Sequence, residues 1–132
     1  MSQPYIIEFD KLGKSEIGYI SVCEIEKILP FNVKRIFWTY YTPESITRGR
    51  HAHKETNQVL IAVAGTINLT LESPDGIINE YKLDSPDKGV FIPHDCWHTM
   101  QYSHNAVQLV FASTEYNENE YIRSYDDFKK LK

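Results

Sequence analysis

The sequence contains only two cysteines, Cys23 and Cys96, among its 132 residues. Two thiols are too few for the disulfide framework of a small secreted domain. No apolar run approaches the roughly 18 residues that cross a bilayer, and the first residues lack the basic-then-apolar pattern of a secretory signal. We therefore predict a cytoplasmic protein with inert, reduced cysteines and no membrane partner.

An excess of positive charge is also missing. Fourteen Lys and Arg stand against eighteen Asp and Glu, for a net charge of -4, so no overall field attracts nucleic acid. Glycine and proline number six each, which excludes collagen-like and low-complexity chains. The length suits one hydrophobic core. The sequence therefore predicts a single domain over residues 1–132, without a nucleic-acid partner.

Helical periodicity is scarce, and alternation with a period of two dominates the chain. Ile67, Leu69 and Leu71 fall on one side of a predicted strand, with polar residues between them. Asp75 and Gly76 then supply the residue types of a tight hairpin turn. Further strands are predicted at 5–9, 19–24, 33–41, 58–64, 77–83, 89–92, 97–102 and 106–113. The pattern predicts an all-β sandwich or barrel, closed by a short helix or irregular arm within 118–132.

Three of the five histidines form a spaced set, His51, His53 and His98. Residues two apart on a strand point to the same face, so His51 and His53 are expected to project side by side. Imidazole titrates near pH 6.5, and a pair directed into a cavity can pass protons at neutral pH. The alternative is that these rings only make hydrogen bonds in a polar turn.

The spacing around these histidines resembles the two motifs of the cupin superfamily. The first motif is matched by Gly49, His51, His53, Gln58 and Gly65. The second motif is matched by Gly89, Pro93 and His98, with Asp95 in place of its middle glycine. The resemblance implies a small β-barrel of the jelly-roll type.

Gln58 departs from the cupin pattern, because it stands where cupins carry an acidic metal ligand. A neutral amide removes the negative charge that favours a divalent cation. We therefore expect no metal and no cofactor. A metal-dependent cupin enzyme, such as a dioxygenase using His51, His53 and His98, stays open as an alternative.

Longer blocks resemble the cupin 3,4-ketoisomerases that act on dTDP-4-keto-6-deoxyglucose. The match runs through 28–37, 48–54, 58–60, Pro93 with 97–98, 112–113 and 120–129. The resemblance implies a metal-free enzyme that moves the ketone from carbon 4 to carbon 3 of the hexose through an enediol, ahead of an aminotransferase. It also implies a homodimer with exchanged N-terminal strands.

Catalytic roles follow from this resemblance and from the chemistry it implies. Moving a carbonyl requires a base that can later act as an acid, and a donor to the developing oxyanion. His51 is the expected base, and His53 the donor or second acid/base. Tyr40 and Tyr41 are the candidates for a hydroxyl that relays a proton between sugar oxygens, with Tyr41 placed in the predicted catalytic set.

A local basic cluster is expected to hold the diphosphate of the substrate. Lys34, Arg35, Arg48, Arg50 and Lys54 share the segment 34–54 with one acid, Glu44. The alternative is a solvated basic edge that prevents strand-to-strand association. Arg35 and Arg48 are the preferred ligands, since Arg suits bidentate phosphate contacts. Arg50 and Lys54 alternate with the histidines and would face away unless Gly49 introduces a bulge.

Gln58, Trp97 and His98 complete the expected substrate contacts, Trp97 by stacking. Ile17 and Gln101 stand where fucose-branch relatives carry Arg and His, which favours the gluco over the galacto product. A non-catalytic cupin that only binds a nucleotide sugar is the remaining alternative.

Overall fold

The computed structural model describes residues 2–131 and consists mainly of antiparallel strands. The strands are β1 Tyr5–Glu8, β2 Asp10–Lys14, β3 Gly18–Val22, β4 Arg35–Tyr40, β5 Thr47–His53, β6 Gln58–Ala64, β7 Ile67–Glu72, β8 Ile78–Leu83, β9 Lys88–Ile92, β10 Trp97–Tyr102, β11 Val107–Ala112 and β12 Tyr121–Ile122. The helices are α1 Ile25–Ile28, a 3₁₀ turn at Glu118–Glu120 and α2 Tyr125–Lys129.

Two five-stranded sheets face each other. The first has the order β1-β9-β6-β11-β4, the second has the order β12-β5-β10-β7-β8, and β2 and β3 form a separate hairpin. The predicted all-β, jelly-roll type of fold is confirmed. The two sheets form a sandwich rather than one continuously hydrogen-bonded barrel.

Alternation of side chains along the strands places the main core between the sheets. Ile67, Leu69 and Leu71 of β7 are at most 2% exposed, whereas Asn68 and Thr70 between them face solvent. Strand β6 buries both faces: Leu60 joins the core between the sheets, while its neighbours pack under α1 and the N-terminal strands. A continuous apolar strand is typical of a sheet covered on both sides.

The C-terminal stretch is more broken than its helical spacing predicts. It begins with the 3₁₀ turn, which is followed by the short strand β12 beside β5 and then by the five-residue helix α2. The hydroxyl of Ser124 accepts a hydrogen bond from the Asp127 amide at 3.3 Å, which starts α2 there. Phe128 is fully buried and anchors α2 against the second sheet.

Four elements are absent from the predicted set: β2, β5, the short helix α1 and β12. For β5, the sequence predicted only that His51 and His53 share one face of a strand. The residues of β2 are all exposed, so they carry no hydrophobic alternation by which to recognise a strand. In the part of the chain that the structure describes, no helix is long and apolar enough to cross a membrane.

Candidate active site

A β-bulge in β5 decides which side chains enter the space between the sheets. Gly49 and Arg50 have φ angles of +89° and +60°, and the pairing with β10 shifts register beside them. A bulge adds one residue to a strand, so Arg48 and His51, three positions apart, both line the same cavity. Arg50 is exposed, so the predicted bulge at Gly49 is present but does not turn Arg50 toward the histidines.

Gly49 is required at this bulge for two reasons. Its φ lies in the region that side chains other than glycine rarely adopt. A Cβ atom at this position would also lie 2.7 Å from the carbonyl oxygen of His98 on the neighbouring strand. The glycine of the histidine motif therefore lets β5 approach β10 and brings their histidines together.

His51, His53 and His98 meet at one end of this strand pair. The Nε2 atoms of His51 and His98 are 3.1 Å apart, within hydrogen-bonding distance. The rings of His51 and His53 lie edge to face with centroids 5.0 Å apart. The histidine cluster predicted from spacing is therefore a real cluster, built from β5 and from the start of β10.

The Nδ1 atom of each of these rings contacts an oxygen. Nδ1 of His51 lies 3.1 Å from the Gly49 carbonyl, and Nδ1 of His98 lies 3.1 Å from the Cys96 carbonyl. Nδ1 of His53 contacts the carboxylate of Glu120. These contacts orient the rings with Nδ1 turned outward from the cluster, while Nε2 of His51 and of His98 turn toward each other.

Burial keeps the three imidazoles neutral at physiological pH. Desolvation, followed by the neighbouring His53, lowers the pKa of His51 to about 4. Desolvation also lowers the pKa of His98 well below 6.5. For His53, desolvation lowers the pKa and outweighs the opposing effect of Glu120. Neutral imidazole has an unprotonated ring nitrogen, so the cluster can accept protons from a bound molecule.

A cavity of about 270 Å³ opens beside the histidines, between the two sheets. His51 and His98 form part of its wall, together with Arg48 and Gln58. The remaining lining residues are Phe37, Thr39, Gly49, Leu60, Met100, Tyr102, Gln108, Val110, Tyr121 and Arg123. Nine of the fourteen lining residues carry polar or charged side chains, so the cavity suits a polar small molecule.

Arg35 is half-buried at the start of the edge strand β4 and does not line the cavity. Its guanidinium is 5.3 Å from the ring centre of Phe37 and 5.7 Å from that of Tyr116. Its positive charge is one of the influences that lower the pKa of His53. Within residues 2–131, its Nε and Nη2 atoms are buried without a hydrogen-bond partner. A buried donor of this kind suits an anionic or carbonyl oxygen.

Several residues predicted for the site lie away from the cavity. Tyr41 follows β4 and is 77% exposed, and Tyr40 also faces solvent. Ile17 lies in the turn between β2 and β3 and is 76% exposed. Gln101 is exposed and donates to the Thr47 hydroxyl at 3.2 Å. In this chain, none of these four side chains lines the cavity.

Trp97 also lies apart from the cavity, although it is next to His98. Its ring packs against Tyr125 and Phe128 of α2, with centroids 5.3 and 5.7 Å away. Neighbours on a strand point to opposite faces, so the position beside His98 directs Trp97 toward the C-terminal helix. Trp97 therefore holds α2 on the outer side of the second sheet.

Tyr121, Arg123 and Glu120 belong to the site but were not selected from the sequence. Strand β12 pairs with β5 and places Tyr121 opposite His53. The Tyr121 ring lies 5.0 Å from the His51 ring and 4.5 Å from the His53 ring. All three residues fall in or beside the 120–129 block that carried the family resemblance.

The histidine cluster has the dimensions of a possible cation site. One ring nitrogen of each histidine lies within 4.8 Å of the others, and imidazole suits Zn, Cu, Fe and Ni. Gln58 lines the same cavity and stands at the position of the acidic metal ligand of cupins, but its side chain is a neutral amide. The donor set therefore lacks the carboxylate that completes the cupin metal site.

Comparisons with known proteins show the family to which the chain belongs. Residues 2–132 match the model of a family described as FdtA: WxcM-like, C-terminal. The TDP-4-oxo-6-deoxy-alpha-D-glucose-3,4-oxoisomerase of Aneurinibacillus thermoaerophilus is 39% identical over 126 residues, which span 95% of this chain and 89% of the relative. A crystal structure of a 3,4-ketoisomerase from Helicobacter canadensis is 38% identical, with a TM-score of 0.91 and coverage of 99% of this chain and 98% of that chain.

A third relative is the 3,4-ketoisomerase QdtA of Thermoanaerobacterium thermosaccharolyticum. A histidine-to-asparagine mutant of QdtA has been solved in complex with TDP-4-keto-6-deoxyglucose. It is 31% identical to this chain, with a TM-score of 0.91 and coverage of 98% of this chain and 93% of that chain. The chain therefore belongs to the FdtA/WxcM-like family of sugar 3,4-ketoisomerases and is an isomerase.

Proposed function

We propose that the chain moves the keto group of dTDP-4-keto-6-deoxyglucose from carbon 4 to carbon 3. The observation that carries this proposal is the cluster of neutral, buried histidines beside a cavity with basic residues. The named substrates of the relatives are of the same class.

The chemistry passes through an enediol between carbons 3 and 4. His51 removes the hydrogen from carbon 3 as a proton, and the electron pair of that bond forms the carbon–carbon double bond while oxygen 4 takes the negative charge of the former carbonyl. His53 then accepts the proton of hydroxyl 3 and gives it to oxygen 4. The carbonyl forms at carbon 3 as carbon 4 takes the proton that His51 holds. Hydrogen has moved from carbon 3 to carbon 4 and from oxygen 3 to oxygen 4, with no net change in the protein.

The relay of the hydroxyl proton falls to groups around His53. Tyr41, the tyrosine predicted for this role, is on the surface of the chain. Tyr121 lines the cavity and packs against both His51 and His53. His53 is 2% exposed and is not among the residues that line the cavity. We therefore assign the relay to His53 together with Tyr121, which replaces Tyr41 as the aromatic hydroxyl.

The diphosphate is assigned to the arginines of β4 and β5. Arg48 lines the cavity, and Arg35 of β4 has two guanidinium nitrogens buried without a partner among residues 2–131. We expect Arg48→Ala to raise KM about tenfold or more, because a hydrogen bond to a charged group contributes roughly 1.5–3 kcal/mol, and to change kcat less. Steady-state kinetics with the keto sugar measures both constants.

Arg50→Ala is the matched control for this prediction. Arg50 follows Arg48 by two positions and carries the same charge, but the bulge leaves it on the surface. Its replacement should leave KM within about twofold of the wild-type value. Equal increases in KM for the two variants would mean that overall charge, rather than contact in the cavity, holds the diphosphate.

We propose the gluco configuration from the resemblance alone: Ile17 and Gln101 stand where fucose-branch relatives carry Arg and His, although neither side chain lines the cavity of the single chain. NMR of the product formed from dTDP-4-keto-6-deoxyglucose in heavy water tests the whole proposal. Deuterium at carbon 4 with the carbonyl at carbon 3 supports isomerisation, and the coupling constants of that product give its configuration. Unchanged substrate with intact binding would identify a binding module instead.

The metal-dependent alternative is tested in the same assay. The ring nitrogens of the histidine cluster are close enough to hold one cation, so the alternative is specific to this site. Activity that persists after dialysis against a chelator would exclude it. Activity that disappears and returns with an added divalent ion would replace the metal-free mechanism.

The protein is also proposed to form a homodimer. The outward side of the edge strand β4 exposes Ile36, Trp38 and Tyr40 in one row, and exposed apolar rows of this kind mark association surfaces. In the single chain, β1 pairs with its own β9. In the predicted dimer with exchanged N-terminal strands, this pairing within one chain would be replaced by pairing between the two subunits. Light scattering on purified protein measures the mass, and a monomer would contradict the proposal.

A further inference from the structure

Glu120 is a carboxylate buried behind the histidine cluster. It ends the 3₁₀ turn that precedes β12 and is 7% exposed. The pairing of β12 with β5 sets the next residue, Tyr121, opposite His53. The backbone therefore brings the carboxylate of Glu120 against Nδ1 of His53.

Both oxygens of Glu120 are held in place. Oε1 contacts Nδ1 of His53. Oε2 accepts hydrogen bonds from the amides of Glu55 and Thr56, each at 3.3 Å, in the turn that follows β5. Because Oε2 is hydrogen-bonded to the backbone, the carboxylate is fixed in place, and Oε1 keeps its contact with the His53 ring.

These contacts determine which nitrogen of His53 carries the hydrogen. An ionised carboxylate can only accept a hydrogen bond, so Nδ1 must donate. Desolvation raises the pKa of Glu120, but His53 and the amide donors outweigh it and lower the pKa, so the carboxylate is ionised at neutral pH. In neutral His53 the lone pair then lies on Nε2, which is buried without a partner among residues 2–131.

We propose that Glu120 is a positioning residue that holds His53 with its Nε2 lone pair free and stabilises the imidazolium that forms when His53 takes a proton. This inference rests on the proposed isomerase function. The O3–H bond of the sugar breaks as Nε2–H forms, and Nε2–H later breaks as O4–H forms. The charge on the ring is balanced during that interval by Glu120, which keeps the Nδ1 hydrogen bond throughout.

The arrangement also gives the two neighbouring histidines different tasks. Among residues 2–131, His51 has no carboxylate partner, since its Nδ1 lies against the neutral carbonyl of Gly49 and its Nε2 faces His98. A ring without a countercharge is suited to brief proton removal from carbon, whereas His53 with Glu120 can hold a proton longer. Glu120 thus separates the hydroxyl relay from the carbon base.

Glu120→Gln is the main test, because it preserves size and one acceptor oxygen but removes the charge. We expect kcat to fall about 10²-fold, at the lower end of what general acid–base catalysis contributes, with KM within about twofold of wild type. Glu115→Gln changes a nearby exposed carboxylate and should leave both constants unchanged. A folded Glu120→Gln protein with nearly normal kcat would overturn the proposal.

Nitrogen-15 NMR of the imidazole rings supplies a readout that a purely structural role would not move. Comparison with His53→Asn assigns the His53 signals, and the wild-type protein without substrate should show hydrogen on Nδ1. In Glu120→Gln we expect a mixture of the two tautomers. Hydrogen on Nε2 of wild-type His53 would overturn the proposal even if the variant failed to fold.

The two experiments separate this inference from the proposed function. The tautomer is measured in the free protein, so it reports on Glu120 whether or not the sugar is converted. Absence of isomerisation by the wild type would remove the proposed function while leaving the tautomer result in place. A kcat loss without a tautomer change would show that Glu120 acts in some other way.

Discussion

Replacing His51 by asparagine is expected to lower kcat at least about 10²-fold while leaving the protein folded. Asparagine keeps a polar group at the bulge but cannot take a proton from carbon, and general acid–base catalysis contributes typically 10²–10⁴ in rate. Since His51 lines the cavity beside His98, the loss should appear in the chemical step. NMR in heavy water would measure both the conversion of the substrate by the variant and the exchange of deuterium at carbon 3, and we expect both to be strongly reduced.

The control for His51→Asn is the same change at His104, an exposed histidine outside the cavity. His104→Asn should isomerise at the wild-type rate. Circular dichroism and binding of the nucleotide would show that His51→Asn is folded and still takes up ligand. Normal turnover by a folded His51→Asn protein would remove His51 from the role of base and leave His53 with Glu120 as the proton acceptor.

The part of the site that could be predicted from sequence lies close together along the chain. His51 and His53 are two positions apart, and the alternation of a strand suffices to pair them. The two-sheet fold was also predictable, because β6, β7 and β11 carry clear apolar patterns. These inferences use only spacing and the burial preferences of side chains.

The rest depends on how distant segments pair. Glu120 contacts a histidine 67 positions earlier, and nothing in the local sequence of Glu120 distinguishes it from its exposed neighbour Glu118. Tyr121 enters the site because β12 happens to pair beside His53. Spacing alone favoured Tyr41, a residue that the end of β4 leaves on the surface.

Trp97 shows how the same rule of alternation can mislead when the layers on each face are unknown. It was expected to stack on the substrate because it adjoins His98. The two neighbours face opposite ways, and the outer face of β10 is covered by α2 rather than left open. Trp97 therefore packs against α2 instead of a substrate, because of where the C-terminal helix lies. The sequence leaves the position of that helix undetermined.

Acid is expected to destabilise the fold well before its carboxylates are protonated. The pKa of His51 falls from 6.5 in an exposed state to about 4 in the folded protein, and the pKa values of His53 and His98 are also lowered. The unfolded chain therefore binds more protons than the folded chain below pH 6.5. The contribution of these histidines to the free energy of unfolding is fully present above pH 6.5, and it is lost as the pH falls toward 4.

His51 alone should account for about 3 kcal/mol of this loss between pH 7 and pH 4, since one pKa unit corresponds to about 1.36 kcal/mol. Urea unfolding at a series of pH values measures the free energy of unfolding directly. The same series on His51→Asn separates this contribution from that of the acidic residues, because the variant lacks the titrating ring. Its curve should fall less steeply than that of wild type between pH 6.5 and 4. Parallel curves would mean that the folded protein protonates His51 as readily as the unfolded chain does, and the ring would then be a cation at mildly acidic pH rather than the neutral base that isomerisation needs.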